Sequence, residues 1–392
     1  ITTNYPLFIL RLWNLLDGVS TSVTSAWHER AHTRNSAMRV LYDFQAFLQV
    51  HGGVSRYFAE LMAALSEIDG FEARVPVMFS DNEYLGQGLP FLTRRHFKGK
   101  ERIMAAFNTL QASRTIRDSF DVFHPTYYRP YFLEALKRPF VITIHDMVHE
   151  LFSPGYVRDD GTSRWKRVLC ERSSRIIAVS ANTKRDICDL LNVPEEKIVV
   201  VPHATRMRFA GGPRLHEKPY LLYVGSRSGY KNFPAFAEAA ATVLPRFGLD
   251  LLCAGGGRLT REEKEILRSH GLMSRFRHFL SPRTPELASL YHFASGFCYP
   301  SLYEGFGLPI LEAFACDCPV AASSVASIPE VAGQAAEYFE PRCAESIAAA
   351  IQRVIGCPSR ACELRTAGRA RLEAFSWRDS ALKTYSVYRE AA

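Results

Sequence analysis

The chain has 392 residues, of which 47% are apolar, 22% charged and 12% aromatic, so it is not a disordered, collagen-like or coiled-coil chain and its length favours two domains. Lys and Arg outnumber Asp and Glu by 48 to 40, a formal charge of +8. With no C2H2, RRM or P-loop signature that excess does not point to nucleic acid, and no apolar run reaches the roughly 18 residues of a membrane-spanning helix.

Residues 1–37 lack a strongly basic start and a clear cleavage site, and read as an extension on a folded unit that begins at Met38. Val40 to Phe44 predicts a buried strand, Gly52-Gly53 a turn, and Val54 to about Leu65 a helix. Between Arg94 and Asp118 seven basic residues stand against two acidic ones, interleaved with Phe97, Ile103, Met104, Phe107 and Leu110. That segment is either an amphipathic surface for anionic lipid or a solvated helix face. Short strands follow at Asp121–His124, Phe140–Ile144, Arg175–Ser180 and Lys197–Val201, with a helix over Ala181–Leu191 that Ser180 caps. Thr205 to Lys218 is a polar linker, after which the pattern restarts. Pro219–Gly225, Leu251–Ala254, Phe276–Leu280, Phe297–Tyr299 and Pro319–Ala322 are the strands of a second unit, separated by helices, and the last helix covers Ser380–Arg389. The expected fold is α/β: a domain over 38–205, a second over 206–376, and a tail, 377–392, packing back on the first. Continuous apolar strands alternating with helices mean parallel sheets covered on both faces. Two such sheets facing each other bind ligands in the cleft at the carboxyl ends of their strands.

The nine cysteines lie at or beyond Cys170 without paired CxxC spacing, which fits a reducing cytoplasm and argues against zinc. The most informative segment runs from Pro300 to Ala313, PSLYEGFGLPILEA. A strand ends at Tyr299, a glycine loop follows, and a helix starts near Pro309. Gly305 and Gly307 allow close backbone approach, and the helix start presents N–H donors suited to a phosphate. Glu304 and Glu312 would repel a diphosphate, so they belong to hydroxyl groups on either side of it: a sugar and a ribose. Arg227 and Lys231, in the turn after Tyr223-Val224-Gly225, can converge on the same diphosphate.

This string resembles the Glu-x7-Glu motif of retaining glycosyltransferases of family 4, which have the GT-B fold of two Rossmann-like domains. The resemblance covers the chain from about Met38 onward. It implies that Glu312 holds the ribose and Glu304 the donor sugar, with Gly305, Phe306, Gly307 and Leu308 facing sugar and phosphates. Arg227 and Lys231 resemble the family's phosphate clamp, Gly53 its glycine loop, and His145 its histidine near the reacting sugar. Asp146 either orients that histidine or caps the turn. His124, Tyr127 and Tyr128 stand at another strand end, where they either line the acceptor side or pack. His203 replaces the family's usual Asn-Gly near the hinge. The base is expected near Thr284–Tyr291, held through backbone.

The resemblance further implies a metal-independent transfer, with Arg227, Lys231, Glu304 and His145 at the reacting centre and no cofactor beyond the sugar nucleotide. Gly53-Val54-Ser55-Arg56-Tyr57 and Tyr230-Lys231-Asn232-Phe233 resemble mannosyl- and rhamnosyl-type enzymes of bacterial surface polysaccharide assembly. GDP-mannose is therefore the first donor expected and a lipid-linked glycan the acceptor, at the inner face of the cytoplasmic membrane. The rival readings are a GT-B sugar-nucleotide 2-epimerase and a non-catalytic nucleotide-binding subunit.

Overall fold

A computed structural model describes residues 37–50, 52–85, 99–152 and 160–392. The extension before Ala37, and with it Arg94, Arg95, Phe97 and Lys98 of the basic segment, lie outside the described residues. The first half carries β1 (Met38–Tyr42), α1 (Gly53–Leu65), β2 (Phe71–Arg74), α2 (Lys100–Thr115), β3 (Val122–His124), β4 (Val141–Ile144), α3 (Val148–Leu151), α4 (Thr162–Arg172), β5 (Arg175–Ala178), α5 (Ala181–Leu191) and β6 (Ile198–Val200). Residues 201–219 have neither helix nor strand. The second half carries β7 (Tyr220–Val224), α6 (Phe233–Phe247), β8 (Asp250–Ala254), α7 (Arg261–Ser269), β9 (Phe276–Phe279), α8 (Thr284–His292), β10 (Gly296–Tyr299), α9 (Leu308–Ala315), β11 (Val320–Ser323), α10 (Ile328–Ala332), β12 (Ala336–Phe339), α11 (Ala344–Gly356), α12 (Pro358–Leu372) and α13 (Trp377–Ala391).

Every strand pairing is parallel. In the first half the orders are β2-β1-β3 and β4-β5-β6, joined by a single bridge from Phe123 to Phe140. The second half has one six-stranded sheet, β12-β11-β10-β7-β8-β9. In each half the chain leaves a central strand one way and returns to its other side, so β1/β3 and β7/β10 are the switch points where a crevice opens. Strands β3, β4, β8, β10 and β11 are buried at every position, as continuous apolar runs demand.

The last helix, α13, belongs to the core of the first half: Trp377, Ala381, Val387 and Tyr388 pack with Val40, Tyr42, Phe58 and Ile177. A buried polar chain pins it there. Tyr388 Oη meets Tyr42 Oη and His124 Nδ1, each at 2.7 Å, and His124 Nε2 meets Thr143 Oγ1 at 3.0 Å. His124 is therefore a core residue beneath α13 and does not line the acceptor side; with no exposed surface, its ring is used up in joining β3 to β4 and the C-terminal helix.

The basic segment is also partly spent. Lys100 is buried against Asp81 at 2.5 Å, and Asp118 pairs with Arg74 at 2.6 Å, while Ile103 and Leu110 remain exposed on α2.

Burial holds His124 neutral, with a pKa brought down to about 3 from an ordinary 6.5. Between those values the unfolded chain binds the proton that the folded chain refuses, so stability falls as pH drops. Urea titrations from pH 7 to pH 4 should show that fall, with a shallower slope for His124→Gln; an unchanged slope would remove His124 as its source.

Candidate active site

The loop between β10 and α9 is held from behind. Ser327 Oγ donates to the carbonyls of Glu304 and Phe306, both at 2.8 Å. Gly305 O accepts from Ser180 Oγ at 2.7 Å and Thr183 Oγ1 at 3.0 Å, both at the start of α5 in the other half. Among the described residues the N–H groups of Gly305, Phe306, Gly307 and Leu308 have no hydrogen-bond partner. Gly307 caps α9 with φ 111°, a conformation that favours glycine, and Pro309 sits in the first turn. Free N–H groups at a helix start form an anion site.

Gly305 faces the first half directly. A Cβ there would overlap the carbonyl oxygen of His145 and lie 2.9 Å from Asp146 Cα, so only glycine allows the two halves to meet at this point. Around it, Tyr303 Oη donates to Asp186 at 2.5 Å and accepts from Met147 N at 3.3 Å. Glu330 accepts from the N–H groups of Ala181 at 2.7 Å and Asn182 at 3.1 Å.

Both motif carboxylates are paired. Lys231 Nζ lies 2.6 Å from Glu304 Oε1 and above the rings of Tyr230 and Tyr299. Glu312, nearly buried, takes Arg56 of α1 on Oε1 and Tyr291 Oη at 3.3 Å on Oε2. Burial pushes the Glu312 carboxyl up, against the pull of Arg56. Asn232 Nδ2 donates to Pro300 O at 3.1 Å and Pro341 O at 2.6 Å, which fixes the Lys231 turn against the loop.

Arg227 departs from its expected role. Its guanidinium donates to the carbonyls of Gly255 at 2.9 Å, Gly256 at 3.1 Å and Gly257 at 2.8 Å, and its Nε lies 3.2 Å from Glu263. It is 3% exposed. A planar guanidinium with five donors suits a ring of carbonyls at the open end of β8, and in this structure Arg227 braces that loop.

In the first half, Gly53 opens α1 with open space where a Cβ would stand. His145 follows β4, donates its N–H to Tyr128 Oη at 3.0 Å, and leaves Nε2 buried without a hydrogen-bond partner among the described residues. Burial, the largest effect, lowers its pKa to about 4, so the ring is neutral near pH 7. Asp146 caps the turn, accepting from Val148 N at 3.1 Å, and Lys166 Nζ holds its carbonyl at 2.8 Å. Tyr128 is buried under Lys166 and supports His145, so it does not line an acceptor surface; Tyr127 is half-buried against it.

His203, noted in the sequence only as a departure, joins this centre. Its ring stacks on Tyr57 at 4.6 Å, faces Phe306 at 4.9 Å and lies 5.9 Å from His145, with Nε2 also unpartnered. Arg56 was visible only as part of a shared string; its place on the first turn after Gly53 was the signal that it faces the crevice. Among the described residues no group of three or more His, Cys, Asp or Glu side chains is placed so that it could hold a metal ion.

Residues 51–209 match the family described as Glycosyltransferase Family 4, and residues 218–356 match Glycosyl transferases group 1. The chain belongs to the family-4 glycosyltransferases. This glycosyltransferase is 29% identical over 394 residues to the O-antigen chain mannosyltransferase B of Escherichia coli, covering 90% of this chain and 100% of that one. It is 26% identical over 305 residues to an MMP alpha-(1->4)-mannosyltransferase of Mycolicibacterium hassiacum, covering 72% of this chain and 74% of the other. Sucrose-phosphate synthase from Thermosynechococcus elongatus shares the fold, with a TM-score of 0.69 at 20% identity over 90% of this chain and 98% of that one. So does HepE of Anabaena, solved with UDP and glucose, with a TM-score of 0.69 at 15% identity over 90% and 99%. The fold is thus GT-B, two Rossmann-like units about a cleft.

Gly305→Ala should cost about 1–3 kcal/mol, the usual range for overpacking. Urea midpoints measure it, and an unchanged midpoint would show that the two halves do not meet at His145 as described.

Proposed function

We propose that this glycosyltransferase moves a hexose, mannose from GDP-mannose, to a hydroxyl of a growing lipid-linked glycan with retention of configuration. The observation that carries the donor site is the row of unpartnered N–H groups from Gly305 to Leu308, set between the carboxylates of Glu304 and Glu312. Hydroxyl groups suit the carboxylates and a diphosphate suits the N–H row. The mannosyl and O-antigen assignment draws on relatives such as the E. coli mannosyltransferase B and the serotype-specific mannosyltransferase WbdA. A lipid-linked acceptor places the work at a membrane surface; among the described residues no helix is long and apolar enough to cross one.

In this mechanism the donor phosphates lie over the α9 start, and Lys231 leaves Glu304 to meet them. Glu304 then takes sugar hydroxyls and Glu312 the ribose. The acceptor oxygen bonds to the anomeric carbon on the face from which the diphosphate departs. A phosphate oxygen of the leaving diphosphate receives the acceptor's proton. Charge growing on that diphosphate meets Lys231, the N–H row and the helix dipole, without a metal. Neutral His145, with Nε2 free, hydrogen-bonds the reacting sugar. Closure of the two halves excludes water.

Thermal-shift screening against GDP, UDP, ADP, dTDP and their sugar conjugates tests the donor site. One nucleotide series should raise the melting temperature, equally with EDTA present. Glu312→Ala should weaken that nucleotide by about 10- to 100-fold, the loss of charged hydrogen bonds worth about 1.5–3 kcal/mol. No shift from any nucleotide would sink the reading, and an isomerised donor formed without acceptor would favour a 2-epimerase.

A further inference from the structure

We propose that Arg56 is the second cation of the donor-diphosphate site, contributed by the first half and released from Glu312 when the ribose takes that carboxylate. The proposal rests on the sugar-nucleotide reading above and goes beyond it by assigning a phosphate contact to a residue outside the Gly225–Lys231 turn.

Four observations carry it. First, the turn after β7 supplies one cation to the cleft and not two, because Arg227 is bound to three carbonyls and Glu263. Lys231 alone would leave a sugar-nucleotide diphosphate, with two negative charges, half neutralised. Second, Arg56 stands on the first turn of α1 and crosses the cleft to Glu312 of α9. Glu312 stands four residues, about 6 Å of helix rise, beyond Leu308, the last residue of the N–H row where the phosphates would sit. Third, both oxygens of Glu312 are engaged, one by Arg56 and one by Tyr291. A ribose hydroxyl reaching Glu312 competes with Arg56 for that carboxylate, as a donor sugar reaching Glu304 competes with Lys231. Fourth, Arg56 is only 15% exposed in its pair with Glu312, so once freed it needs another anion. Its near carboxylate, Glu60, is paired with Arg206 at 2.7 Å. The diphosphate is the anion that arrives with the ribose.

Both resident ion pairs therefore exchange partners together. Before binding, each carboxylate holds a cation; afterwards the carboxylates hold hydroxyl groups and the cations hold phosphates. Because Arg56 and Glu312 lie on opposite halves, the phosphates replace Glu312 as the link to α1 and the cleft stays closed on the donor. A nucleoside without phosphates breaks the Arg56 pair and offers nothing in return.

Calorimetric titration of wild type and Arg56→Ala with GDP and guanosine, and in parallel with UDP and uridine, tests this. The variant should bind the preferred nucleoside diphosphate 10- to 100-fold more weakly while its nucleoside affinity holds or rises, since Glu312 is freed. Arg56→Lys should recover part of the diphosphate affinity. Arg56→Gln keeps the length of the side chain and replaces the alanine variant if that one melts early. Unchanged or tighter diphosphate binding would overturn the proposal and leave Arg56 a latch on Glu312. Equal losses for diphosphate and nucleoside would overturn it in favour of a structural role, and a raised acceptor KM at unchanged diphosphate affinity would assign Arg56 to the acceptor. Weakened diphosphate binding by Glu312→Ala and Lys231→Ala but not by Arg56→Ala would refute this proposal alone. Wild-type protein that binds neither GDP nor UDP would refute the donor reading beneath it.

Discussion

The site depends on one short stretch of backbone, Glu304 to Leu308, whose carbonyls are bound from behind and whose N–H groups from Gly305 to Leu308 have no hydrogen-bond partner among the described residues. Ser327 holds two of those carbonyls from the same half, while Ser180 and Thr183 hold the third from the other. A loop fixed this way does not reorganise when charge develops before it, which is the main source of electrostatic stabilisation in enzymes. The same loop is where the halves touch, since Gly305 lies against the His145 carbonyl with no space for a side chain. Donor binding and closure therefore act on one structural element.

Charge balance explains the neighbours of that loop. A carboxylate withdrawn from water without a partner is costly, and Glu312 is nearly buried. Its pairing with Arg56 across the cleft, and that of Glu304 with Lys231, keep the site neutral pair by pair. Beside them His145 and His203 stay uncharged because burial disfavours the cation. The centre thus presents two ion pairs and two neutral rings whose Nε2 atoms have no hydrogen-bond partner among the described residues.

Much of this was legible in the sequence. Apolar strand runs and glycine turns place the crevice residues, because the singled-out positions lie in the loops and helices that follow the carboxyl ends of parallel strands. The edge strands β2 and β12 were not legible: Phe71-Glu-Ala-Arg and Ala336-Glu-Tyr-Phe mix exposed and buried positions and lack a continuous apolar run. Nor was the direction of side chains. Arg227 turns to backbone carbonyls, which carry no sequence code. His124 ends a strand as His145 does, yet points beneath a helix that arrives from more than 250 residues downstream. Arg56 and Gly305 acquire their meaning only when the two halves are set face to face.

The central claim, that Glu304 to Glu312 forms the donor site, is most directly tested by a crystal structure of the complex with GDP, or with UDP where melting shifts select it. The account predicts phosphates over the N–H groups of Gly305 to Leu308 and ribose hydroxyls on Glu312, with Lys231 drawn off Glu304. A nucleotide bound elsewhere, with the Arg56–Glu312 and Lys231–Glu304 pairs both intact, would contradict it.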